Sequence, residues 1–268
     1  MKDFILGNEP TIRLVIFAGV LLVMAGWELL SPRRRPLVSR PYHWLNNLGL
    51  VVAGSVVVRV LFPVIAVGVA IWAESRGWGL FNWLPLPRWL AVLISVVLLD
   101  FIIYWQHVAA HRMPHFWMLH KVHHADPDID TTTGVRFHPI EIVVSMLIKM
   151  AAVIILGTPP EAVVIFEVIL NAGAMFSHGN VYLPAVLDRW LRKIIVTPDM
   201  HVVHHSIVTR ETNSNFGFNL SVWDRIFGTY RAQPEAGHDG ITLGLPQFQT
   251  ERRQNLLWML VLPFKGSK

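Results

Sequence analysis

Long apolar runs alternate along this chain with short, arginine-bearing polar joints, and the runs approach the thickness of a bilayer. A hydrocarbon core of ~30 Å takes roughly 20 residues of helix to cross. Five runs come near that length: about 11–30, 46–73, 89–105, 139–156 and 160–176. The second is interrupted by Arg59 and Pro63, and the third runs through Leu99 into Asp100 and Trp105. Gly157-Thr158-Pro159 separates the last two, which predicts a tight helical hairpin.

Polar positions then divide the rest. From Asp199 to Tyr230 the composition is polar and mixed, as in a folded cap beside the membrane. Residues 231–244 read as loop, and 256–264 are apolar but too short to span, so they lie on the membrane or pack against the cap. The organisation expected is membrane helices over 1–88, a catalytic unit over 89–230 and a tail over 231–268, with no internal repeat. Arg59 reads either as a snorkelling or bundle-paired cation or as a polar group facing a lipid cavity, and Lys149 and Glu167 admit the same two readings.

Composition sharpens this picture. The chain has 268 residues, 53% hydrophobic and 15% charged, where soluble domains carry about a quarter charged. The absence of cysteine excludes disulfide scaffolds, iron–sulfur ligation and thiol nucleophiles. The first ten residues lack the basic region and small-residue site of a cleaved signal peptide. The net charge of +5 comes largely from arginines beside apolar runs, a placement that points to topology and anionic lipid, not nucleic acid. Arg33, Arg34, Arg35 and Arg40 put the joint after the first helix in the cytoplasm. Alternation then leaves 106–138 and everything after His178 on that side. The expected fold is all-α: an integral membrane bundle of four to five helices with a cytoplasmic histidine-rich cap, in a bacterial inner membrane.

The candidate chemistry is histidine. His107 and His111 form an HxxxH; His120, His123 and His124 form an HxxHH; His201, His204 and His205 form another. Residues three and four apart share one helix face, so each cluster aims its imidazoles toward one region. Eight imidazoles exceed the needs of one ion and imply two metals, although imidazole alone does not choose among iron, zinc, copper and nickel. His178, at the end of the fifth run, returns to the same face and is a ninth candidate. His138 is a candidate ligand or ligand neighbour, His115 a neighbour, and His43 and His238 bystanders. Asp100, seven residues before His107, could accept a hydrogen bond from a ligand's second ring nitrogen or simply end a helix. Asp126, Asp128 and Asp130 either steady the second cluster or form a solvated loop, and Asp199 and Asn215 flank the third.

Taken with Thr133-Gly134-Val135-Arg136-Phe137-His138-Pro139, Thr197-Pro198-Asp199-Met200-His201, Asn215-Phe216-Gly217 and Trp223-Asp224-Arg225-Ile226-Phe227-Gly228-Thr229, these clusters resemble the fatty acid hydroxylase/sterol desaturase superfamily, particularly its bacterial sterol desaturase-like branch. The likeness covers about 89–230. It implies a membrane di-iron enzyme, two iron ions held by the eight cluster histidines and His178, that uses dioxygen and external electrons to hydroxylate or desaturate a lipid. Val108 and Phe216 stand where many members carry arginine and tyrosine. No dinucleotide-binding glycine fingerprint and no haem motif is present, so a separate reductase or small redox carrier is required. Two rivals are a zinc-dependent membrane lipid hydrolase, which usually adds carboxylate ligands, and a non-catalytic metal-binding membrane protein, such as a transporter with ligands at mid-membrane.

Overall fold

The computed structural model describes residues 2–250 and 254–265. Among these residues the protein is all-helical, with no strand and three isolated bridges. Four of its five longest helices carry a proline in the first turn, as proline's fixed φ and missing N–H favour, and the fifth, Arg88–Arg112, follows Pro87. A short α1 (Lys2–Gly7) leads into α2 (Glu9–Leu30), followed by α3 (Arg40–Leu61). The second apolar run is not one span. Pro63 ends α3, and the chain restarts as α4 (Ala66–Ser75). Arg59 is exposed in the last turn of α3, in keeping with the snorkelling reading.

After a turn bearing the exposed tryptophans Trp78 and Trp83, α5 runs over Arg88–Arg112 and α6 over Pro114–His124. The predicted hairpin is α7 (Pro139–Leu156) and α8 (Pro160–His178). Gly157 closes α7 at φ +62°, a left-handed conformation that glycine adopts without a Cβ penalty. Beyond α8, α9 (Pro198–His204) and its C-cap carry the third cluster, and α10 (Leu256–Val261) leads into a last 3₁₀ turn at Leu262–Phe264. Five helical stretches are long and apolar enough to cross a membrane.

The bundle is organised around α8, which packs against α1, α2, α4, α5 and α9. Against lipid, association gains little from burial and depends on close approach by small side chains. That is the role of α4, whose Ala66, Ala70 and Ala73 are almost wholly buried where it packs on α7 and α8. At the histidine end, a 3₁₀ turn (Thr133–Val135) lies flat on α8. A Cβ on Gly134 would stand 2.4 Å from the Ala174 carbonyl oxygen, so only glycine permits that approach. The apolar 256–264 segment packs instead of floating: Met259 and Leu262 are buried with Leu50, Val122 and Ala125.

Behind the 3₁₀ turn lies a buried polar network. His43 bridges Asp126 through Nε2 and Asp130 through Nδ1, each at 2.9 Å. Arg136, fully buried, donates to the Val122 carbonyl at 3.0 Å and approaches Asp126 at 3.4 Å. Burial alone would raise the Asp126 carboxyl, but His43 and Arg136 override it and hold the group well below the usual carboxylate range. His43 is therefore a corner of the framework, not a bystander, and Asp126 and Asp130 are buried instead of forming a solvated loop. Glu28 of α2 joins the same region, accepting from the Thr131 and Asn180 amides at 2.7 and 2.8 Å.

Candidate metal centre

Four segments deliver nine imidazoles to the end of the bundle. His107 and His111 stand one turn apart on α5; His120, His123 and His124 on α6; His178 at the end of α8; His201, His204 and His205 on and just past α9. The clusters do not each serve one ion. They interleave into two groups: His107, His111, His120, His124 and His204; and His123, His178, His201 and His205. Within each group the candidate ligand nitrogens all lie within 4.8 Å of one another. Each HxxHH divides because its i, i+4 pair faces one centre while the remaining residue faces the other: His120 and His124 against His123, His201 and His205 against His204.

The nitrogens fit cations. In the four-histidine group, His178 Nε2 lies 3.1 Å from His123 Nε2, 3.0 Å from His201 Nε2 and 3.2 Å from His205 Nε2. One ring N–H cannot donate to three acceptors at once, so lone pairs must converge there. Ligands about 2.0–2.1 Å from a metal stand about 2.8–3.0 Å apart in octahedral and about 3.3–3.4 Å in tetrahedral arrangement, a range that brackets these separations. In the five-histidine group, all five Nε2 atoms are buried and without a hydrogen-bond partner, an arrangement that would be costly without a ligand.

The opposite ring nitrogens fix these tautomers. Nδ1 of His107 donates to the Phe216 carbonyl (2.8 Å), His178 to Ala174 (2.7 Å) and His204 to Ser214 (2.7 Å). His120 Nδ1 donates to the Glu141 carboxylate at 2.7 Å. Each bond leaves Nε2 with its lone pair directed inward. Burial and neighbouring imidazoles push His123, His124, His201 and His205 well below their ordinary pKa of 6.5. Burial lowers His204 to about 3, against the opposing pull of the Ser214 carbonyl. These rings are neutral, as ligation requires.

The loop that supplies the Phe216 carbonyl is itself held. Asp224 accepts from the amides of Phe216 and Gly217 at 2.7 and 2.8 Å, and Asn215, at φ +52°, donates to the Met200 and Arg231 carbonyls at 2.9 Å each. Asp100 does not reach a histidine. It accepts from Asn219 Nδ2 (2.8 Å) and Trp223 Nε1 (2.9 Å), clamping the same loop to α5 one step further out. His138 joins neither group: it caps α7 at the Ile140 amide and faces the Leu260 carbonyl. His115 is exposed, and His238 lies beside Arg34, away from both centres. Glu141 and Asp224 were missed by sequence reasoning. Glu141 follows His138 in a motif whose histidine drew attention, and its only signal is a position one turn into α7 on the histidine side.

A cavity of about 320 Å³ abuts the centre, lined by Ile103, Phe137, Ile142, Met146, Leu170 and Phe218 among others. Phe137 stacks on His123 at 4.7 Å and Phe218 stands 6.2 Å from His107, so these two rings separate cavity and ligands. Lys149 and Glu167, ambiguous in sequence, pair with each other on its wall.

The family model described as fatty acid hydroxylase matches residues 92–229, a little over half the chain. The chain belongs to that family. It sits within the fatty acid hydroxylase/sterol desaturase superfamily. Among curated relatives, an ornithine lipid hydroxylase of Rhizobium tropici is 26% identical over 230 residues, 82% of this chain and 67% of that protein. An alkylglycerol monooxygenase of Homo sapiens is 28% identical over 182 residues, 67% of this chain but 38% of the human protein. A very-long-chain aldehyde decarbonylase of Oryza sativa is 27% identical over 155 residues, 56% of this chain and 57% of the plant protein. The chain thus spans well under half of the monooxygenase it matches. No solved structure matches the chain.

Proposed function

We propose that this family member is an integral-membrane lipid oxygenase whose nine imidazoles hold two iron ions at the cytoplasmic face of a bacterial inner membrane. The observation that carries the reading is the pairing of groups of five and four imidazoles, all but the half-buried His111 buried, beside a mostly apolar cavity within the bundle. Among the described residues, neither group includes a carboxylate, which disfavours a hydrolytic zinc site. The ligands lie at the end of the bundle, away from mid-membrane, which disfavours a transporter. Bound there, iron would supply dioxygen activation and the power to attack an unactivated C–H bond. The chain's own residues keep the ligands neutral and oriented, and Phe137 and Phe218 wall the centre off with apolar surface. The three relatives are named for acting on an ornithine lipid, an alkylglycerol and a long-chain aldehyde, so the substrate class proposed is a lipid, hydroxylated or desaturated. Electrons come from a separate reductase or small carrier. The catalytic unit is residues 89–230, with 1–88 adding cavity wall through Phe17, Val51 and Val58.

The test is anaerobic iron loading of detergent-purified protein, with metal per chain and reductant-dependent oxygen uptake measured in bacterial lipid extract. Two irons per chain, and uptake abolished in His123→Ala and His204→Ala, are expected. Tight zinc binding with no lipid-stimulated uptake from any of several donors would overturn the reading.

A further inference from the structure

The cavity is mostly apolar, with Gln106, Glu141 and Ser145 toward the histidines and a cluster of charges at the end remote from them. There Arg13 of α2, Lys149 of α7 and Glu167 of α8 all line its wall. Glu167 is bridged to both Arg13 and Lys149. Charges at this depth in a membrane bundle are costly and seldom kept without use. At this end of the cavity two cations face one carboxylate, Glu167, while the other lining carboxylate, Glu141, stands at the opposite end against His120. Arg13 is balanced from behind by Glu9, whose carboxylate forms an ion pair with it (2.8 Å to Nε) and does not line the cavity. Arg13 Nη2 is buried and without a hydrogen-bond partner. Guanidinium donates through five N–H groups, accepts through none and keeps its proton. The cavity end thus offers a charged donor without a partner in a mostly apolar chamber.

We propose that this end binds an oxygen acceptor of the lipid substrate, a carboxylate or an ester or amide carbonyl, through Arg13 with Lys149 in support. This rests on the lipid-oxygenase reading and specifies the substrate within it. The arrangement acts as a ruler. Lys149 lies eight residues along α7 from Glu141, which touches His120, and Glu167 lies eleven along α8 from His178. At 1.5 Å per residue these separations are about 12 and 16 Å. An extended chain covers about 3.3–3.6 Å per three backbone bonds, so the carbon presented to the metals stands about ten to fifteen bonds from the anchored oxygen.

The probes are dodecanoate, methyl dodecanoate and dodecane, which share one chain length and differ in the acceptor. Radiolabelled dodecanoate binding is measured on the protein in nanodiscs, with empty nanodiscs subtracted and iron content determined on the same preparation. Competition by the methyl ester but not by dodecane is expected. Arg13→Met should weaken dodecanoate binding about tenfold or more, as loss of a charged hydrogen bond implies, with iron still at two per chain; Arg13→Lys should restore part of it. If Arg13→Met does not yield folded protein, Lys149→Met decides, with a smaller loss expected. Equal competition by dodecane, or wild-type binding in the folded variants, would overturn the proposal. Acceptor-dependent binding in a wild type that takes up no iron would support this site while overturning the oxygenase reading.

Discussion

Glu141 offers a quantitative test of how the two groups of imidazoles are held. Its Oε1 lies 2.7 Å from His120 Nδ1, while Oε2 is buried without a partner. A hydrogen bond to a charged group contributes about 1.5–3 kcal/mol, equivalent to roughly a 10- to 150-fold change in an equilibrium constant. Glu141→Leu fills similar volume against the apolar cavity and removes that anchor from one ligand of the five-histidine group only. Iron affinity at that group should fall by about 10- to 100-fold, in line with losses of outer carboxylates elsewhere. The four-histidine group, which Glu141 does not touch, should keep its affinity. Anaerobic titration of the variant, followed by elemental analysis and Mössbauer spectroscopy, should therefore resolve two filling steps, with one iron per chain over the interval between them. Glu141→Gln, which keeps an acceptor oxygen but not the charge, should fall between the variant and wild type. Simultaneous filling at wild-type affinity in Glu141→Leu would refute the assignment of Glu141 as the carboxylate that orients His120.

Three further outcomes are expected. Asp224→Ala strands the buried Phe216 and Gly217 amides and frees the carbonyl that holds His107. It should lower stability by about 3 kcal/mol and reduce iron content, read from thermal unfolding and metal analysis; unchanged values for both would contradict it. Metal-stripped protein should lose stability as pH falls below 6.5. There the unfolded chain takes up protons that the buried rings, with folded pKa values below 6.5 and His204 at about 3, refuse; each such ring contributes a slope of about 1.4 kcal/mol per pH unit. Melting temperatures of stripped protein that are level or rising from pH 7 to pH 5 would count against neutral ligands. His138→Ala should cost about 1 kcal/mol through the lost cap on α7 yet leave both irons in place, and loss of one iron would show that His138 does ligate.

Periodicity and motif spacing carry different kinds of information, and the outcome divides along that line. The hairpin at Gly157 and the helix limits at Pro139, Leu156 and Pro160 were legible because proline, glycine and apolar length act locally. The three clusters were legible as imidazoles aimed at one region because i, i+3 and i+4 spacing is local too. Their division into a group of five and a group of four was not, since it depends on how α5, α6, α8 and α9 dock. The same holds for His43 against Asp126, Asp100 against Trp223, and Glu141 against His120, which are 83, 123 and 21 residues apart. Nor does any local pattern distinguish Lys149 and Glu167 on a cavity wall from the same residues in a sealed interface.

All nine candidate ligands are imidazoles, a ligand type that brings no negative charge, and among the described residues the one carboxylate in direct touch with them, Glu141, reaches the centre only through His120. For any redox-active ion held there, each added positive charge goes largely uncompensated by the protein. Such a ligand set favours the lower oxidation state and raises the reduction potential, because net charge and burial are principal determinants of a metal centre's potential. On the proposed oxygenase reading, a donor would therefore have no need to be a strong reductant; it would have to deliver electrons at the polar end of a greasy bundle without letting water follow.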